Sequence, residues 1–223
     1  MMCGRFGLGG SATTLIAQFN VQENAAWTAR YNLAPSQDVL TVVQTAESGR
    51  QLRKMRWGLI PAWAKDPGIG SRLINARAET VATKPAFRRP LRERRCLILT
   101  DGFYEWEPRA GRKQPWFIRM RDRGPFAFAG LWDRWRDPNG RDLDSCTIIT
   151  TAPNALIRPF HHRMPVILAP EHYDLWLDVR VQDVGCLLPL LVPFPAEGMS
   201  AYRVSLLVND PANDSPTCQL LLE

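Results

Sequence analysis

Cys96-Leu-Ile-Leu-Thr-Asp-Gly-Phe-Tyr-Glu-Trp106 is the stretch on which the fold class turns. Cys96–Thr100 and Phe103–Glu107 are short runs rich in β-branched, aromatic and other apolar residues, with Gly102 between them, and they predict two strands. Downstream, Trp116–Met120, Phe126–Trp132 and Cys146–Thr151 have the same character. Upstream, the loop Arg30-Tyr-Asn-Leu-Ala-Pro35 leads into a strand through Val39–Val43, and Leu52 to Trp57 alternates as a strand with a basic face. Ser11 caps an amphipathic helix carrying Leu15, Ile16 and Phe19. Asn75 stands as the N-cap of a second helix. Pro170 opens a third, with Tyr173, Trp176 and Leu177 on one face. Many short strands broken by Pro and Gly, with few helices, predict a single α+β domain over residues 2–223. Its expected frame is a mixed, barrel-like β-sheet with flanking helices.

The chain has 223 residues, 45% hydrophobic and 22% charged, a balance that excludes long disorder. Its net charge of +6 is unevenly placed. Residues 50–95 hold thirteen Lys and Arg against three acids, while residues 171–223 hold eight acids against two bases. A positive face suits a polyanionic partner, and a solvated arginine-rich surface accounts for the charge equally well. The five cysteines (Cys3, Cys96, Cys146, Cys186 and Cys218) form no C-x-x-C pair, which fits neither a disulfide framework nor zinc. Cys96, Cys146 and Cys186 lie in apolar segments and read as core. Three histidines without a cysteine pair make no metal site, so no metal or cofactor is expected. Without a secretory leader or a long apolar run, a soluble, cytoplasmic monomer away from membranes is expected.

Cys3 stands apart. Exposed as a first residue, a cysteine carries thiol and α-amine on adjacent carbons, a 1,2-aminothiol whose groups titrate near pH 8. The amine attacks an aldehyde and the thiol then closes the imine into a thiazolidine. The same residue also suits an N-terminal nucleophile acting on a carbonyl, and a small buried hydrophobe is the plain reading.

Six motifs follow in order: Met2-Cys-Gly-Arg-Phe6, Arg30-Tyr-Asn-Leu-Ala-Pro35, Trp57-Gly-Leu-Ile-Pro-Ala-Trp63, Asn75-Ala-Arg-Ala-Glu79, Asp101-Gly-Phe-Tyr-Glu-Trp106 and His161-His-Arg-Met-Pro165. Together they resemble the SOS response-associated peptidase (SRAP) family of abasic-site processing proteins, over residues 2 to about 215. The resemblance implies an abasic-site sensor that binds single-stranded DNA and crosslinks to the lesion through Cys3, a lyase-like chemistry. It also implies a cysteine-type peptidase activity, chiefly self-processing that exposes the cysteine, and damage-inducible expression of the SOS kind. Asn75 would orient the amine. Glu105, flanked by aromatics that raise a carboxyl pKa, would move protons. His161 would donate a proton to the sugar or the imine. Arg5, Arg77 and Arg163 would contact phosphates, Thr150 a further one, and Trp63 and Trp106 would stack on bases. Here Met1 precedes the family's Met-Cys start, and Met2 is too large for methionine aminopeptidase to free Cys3. The reactive form therefore requires initiation at Met2, an added Met1, or self-processing. Two rivals share parts of the pattern: an N-terminal-nucleophile cysteine hydrolase, and a module that binds single-stranded DNA without chemistry.

Overall fold

The structure, a computed structural model, describes residues 4–21, 26–45, 49–108 and 113–222. Among them the strands are β1 (Phe6–Leu8), β2 (Arg30–Leu33), β3 (Asp38–Gln44), β4 (Arg50–Trp57), β5 (Asn75–Arg77), β6 (Arg95–Thr100), β7 (Gly102–Glu107), β8 (Gln114–Met120), β9 (Phe126–Arg136), β10 (Asp142–Thr151), β11 (Met164–Pro165), β12 (Ile167–Leu168) and β13 (Met199–Arg203). The principal helices are α1 (Ala12–Phe19), α2 (Pro85–Glu93) and α3 (Tyr173–Leu177).

Strand pairing closes on itself. β3 pairs β4 and β6, β6 pairs β9, β9 pairs β10, and β10 returns to β4 in parallel. This ring is the barrel-like body, and β5, β11 and β12 extend its rim. A second sheet of order β13-β8-β7-β1-β2 lies against it. The domain is thus α+β, with a mixed sheet.

Side-chain parity explains why the central strands are apolar at every position. In β6, Cys96 and Ile98 join Phe103 and Ile118 of the second sheet in one core, while Leu97 and Leu99 pack with Phe87, Leu91 and Trp176 of the helices. In β9, Phe126 and Phe128 face the first core, and Ala127, Ala129 and Leu131 the second. A strand covered on both faces reads as an unbroken hydrophobic run. Gly130 is needed there, because a Cβ would meet the Cys96 sulfur at 2.8 Å.

Ser11 caps α1 as expected, its hydroxyl accepting from the Thr14 amide. Tyr173, Trp176 and Leu177 are buried along α3. Asn75 does not cap a helix. It starts β5, whose register with Ile148 to Thr150 of β10 wins over the local cap signal, and the helix begins only at Pro85. The first four residues of the loop at Arg30 are strand β2. Cys96 and Cys146 are core, but Cys186 is exposed because it sits on the solvent side of a single helical turn, and Cys218 is buried in its place. Arg95, at the end of the basic run, is 4% exposed. Its guanidinium donates to the carbonyls of Leu91, Arg92, Trp176 and Asp178, tying α2 to α3. Burial lowers its pKa to about 10. This arginine serves the frame and is withdrawn from any ligand.

Candidate functional site

β1 runs antiparallel to β7, with Phe6 opposite Phe103. The Tyr104 amide donates to the Arg5 carbonyl at 3.0 Å, so the strand start points toward Glu105 and Trp106. There a cleft of about 600 Å³ opens, lined by Gly4, Arg5, Glu105, Trp106, Pro108, Lys113, Phe160, His161 and Asn209. These residues come from four separate parts of the chain.

Glu105 is 4% exposed, so it is not a solvent-facing strand residue. In the strand register it stands opposite Trp116 of β8. His161 reaches the cleft from the end of the β10–β11 connection. Asn154 fixes that loop: its side-chain oxygen accepts from the Ile157 amide, and its Nδ2 donates to the Phe194 carbonyl at 2.7 Å. The His161 Nδ1 accepts from the Arg163 amide at 3.1 Å. A neutral ring bonded in this way carries its proton on Nε2. Burial, with His162 stacked at 4.3 Å, lowers the His161 pKa. At neutral pH the site therefore holds an uncharged imidazole with one N–H to offer.

Arg5 and Trp106 form the opposite wall. The Arg5 guanidinium stands 5.9 Å from the Trp106 ring centroid and donates to Asn32 Oδ1 and the Val208 carbonyl. Burial lowers its pKa. Trp106 Nε1 donates to Asn209 Oδ1 at 2.7 Å. Asn32, fully buried, anchors this wall, its Nδ2 donating to the carbonyls of Val208, Asp210 and Asn213.

The remaining expected residues are spread more widely. Cys3 lies outside the described residues. Asn75 sits half-buried on β5 and is not among the described residues that line the cleft. Arg77, at the end of β5, is exposed. Thr150 is fully buried and its hydroxyl donates to the Ala76 carbonyl, so it presents nothing to a phosphate here. Arg163 forms a bidentate ion pair with Glu79 and donates to the Thr150 carbonyl at 2.6 Å. Trp63 is 61% exposed, yet its neighbours are pinned: the Ala62 amide donates to Asp133, and Trp135 Nε1 to the Ala64 carbonyl. Sequence reasoning missed Lys113, Phe160 and Asn209 as cleft residues.

No helix is long and apolar enough to cross a membrane among the described residues. The sequence pattern of the SOS response associated peptidase family matches residues 2–211. Abasic site processing protein YoqW of Bacillus subtilis (strain 168) is 48% identical over 221 residues, covering 96% of this chain and 97% of that protein. Abasic site processing protein HMCES of Gallus gallus is 36% identical over 207 residues, covering 82% of this chain and 61% of that longer protein. A crystal structure of a protein from Bacteroides thetaiotaomicron superposes with a TM-score of 0.90 at 27% identity, covering 99% of this chain and 100% of that one. With its ordered motifs, its barrel-like sheet and these relatives, the chain belongs to the SOS response associated peptidase family.

Proposed function

We propose that this protein captures abasic sites in single-stranded DNA, forming a thiazolidine between Cys3 and the ring-opened deoxyribose aldehyde. The supporting observation is that Gly4, bonded directly to Cys3, lines the cleft that also holds Glu105 and His161. The α-amine adds to the aldehyde carbon, and loss of one water gives an imine. The thiol then adds to the imine carbon, its proton passing to the nitrogen, so the adduct weighs one water less than its parts. His161, neutral with its proton on Nε2, donates to the oxygen that leaves. Glu105 accepts and returns protons between amine, thiol and water. Arg5 and Arg77 hold phosphates beside the lesion, and Trp63 and Trp106 stack on neighbouring bases. Asn75 orients the amine from β5, and self-processing ahead of Cys3 exposes it.

The test is intact mass. Protein beginning at Cys3, mixed with an abasic single strand, should give a denaturation-resistant adduct one water lighter than the sum. Cys3→Ser should lose it. An equally stable adduct with the serine variant overturns the mechanism, and salt-sensitive binding without any adduct leaves only the non-covalent module.

A further inference from the structure

The parallel ends of β5 and β10 gather four residues at one point. Arg77 is level with Thr150 in the strand register. The Thr150 carbonyl accepts from the Ala78 amide at 2.9 Å and from Arg163 Nη2 at 2.6 Å. The outer edge of the same guanidinium grips both oxygens of Glu79. The Glu79 side chain is 54% exposed, while that of Arg163 is 13% exposed. The hydrogen bond from Arg163, aided by the charges of Arg163 and Arg77, lowers the Glu79 pKa.

We propose that Glu79 is a built-in competitor that occupies the phosphate seat of Arg163 and Arg77 until nucleic acid displaces it. This inference rests on the DNA-binding reading above and adds the residue that sets its strength. A planar guanidinium pairs with carboxylate and phosphate oxygens through the same two-pronged geometry, so the two anions exclude each other there. Removing Glu79 does not release Arg163, because the Thr150 carbonyl holds it from below. Glu79 is free to swing outward, since more than half of it already faces water. The consequence is selectivity. A stray polyanion making few other contacts gains little by displacing a tethered carboxylate. A strand also held at Arg5 and by stacked tryptophans gains enough from those contacts to displace it.

The experiment measures binding of an undamaged single-stranded oligonucleotide by fluorescence anisotropy across a salt series, for wild type, E79Q and E79A. Both variants should bind about 1.5- to fivefold more tightly at low salt, the range of one partly exposed ion pair. The strand makes the same phosphate contacts once Glu79 is displaced, so the slope of log affinity against log salt should change by less than the roughly 0.7 of one added contact on a single strand. Unchanged or weaker binding by both folded variants overturns the inference, as does failure of both to fold, since Glu79 would then be framework. Adduct formation by wild type is measured alongside. Its absence would sink the capture mechanism instead, and failure of wild type to bind the strand at all would sink the DNA-binding reading.

Discussion

Asn32→Ala is the substitution that reaches furthest through this molecule. The side chain is fully buried, its Nδ2 donates to the carbonyls of Val208, Asp210 and Asn213 at 3.2, 3.0 and 2.7 Å, and its Oδ1 accepts from Arg5 at 2.8 Å. The two N–H groups of Nδ2 are shared among three acceptors, so with the Oδ1 bond three full bonds are lost, each worth roughly 1 kcal/mol net, and an acceptor stripped of its donor inside the protein costs somewhat more. Val208 keeps Arg5 as a donor, so its carbonyl is not orphaned. The loss should total about 3 kcal/mol, which for a domain of this size lowers the melting temperature by about 6 to 12 °C. Differential scanning calorimetry with denaturant titration reads it directly. Asn209→Ala, which loses one bond on the cleft rim, is the control and should cost under about 1 kcal/mol. A fall of less than about 2 °C in Asn32→Ala would show that water replaces the side chain freely, and the account of this wall would be wrong.

Two further outcomes follow from the site. His161 binds its proton less readily folded than unfolded, so its contribution to stability should be present above the free imidazole value of about 6.5 and shrink as pH falls through it. An NMR titration should place its midpoint below that value, and a midpoint above 7 would contradict the Nδ1 bond. Trp63→Ala should weaken binding to single-stranded DNA by about 1–3 kcal/mol, the value of one stacked base, with little change in melting temperature. Unchanged affinity would leave this exposed tryptophan without a role in binding.

The strands were legible in the sequence because burial on both faces left unbroken apolar runs, as in Cys96–Thr100 and Phe126–Trp132. Asn75 misled because its cap signal is local, whereas pairing with β10 depends on residues more than seventy positions away. The basic run from Arg50 to Arg95 read as a single electrostatic feature. Folding divides it between structural anchors such as Arg95 and outward residues such as Arg77. Glu105 and His161 were singled out through the motifs around them, and both line the cleft. Phe160 and Lys113 carry no signal of their own and join the site only through the closure of the sheets.

The pairing of Arg5 with the carbonyl of Val208 spans 203 positions of the chain. On a ribosome adding about 5–20 residues each second, the first wall of the cleft waits tens of seconds for its last support to emerge. The barrel strands from β3 to β10 have all been made by then and can pair, but the cleft cannot be completed. Competence at this site is therefore a property of the finished chain. A product truncated before residue 208 would keep the barrel strands and leave Arg5, Asn32 and Trp106 without the segment that holds them.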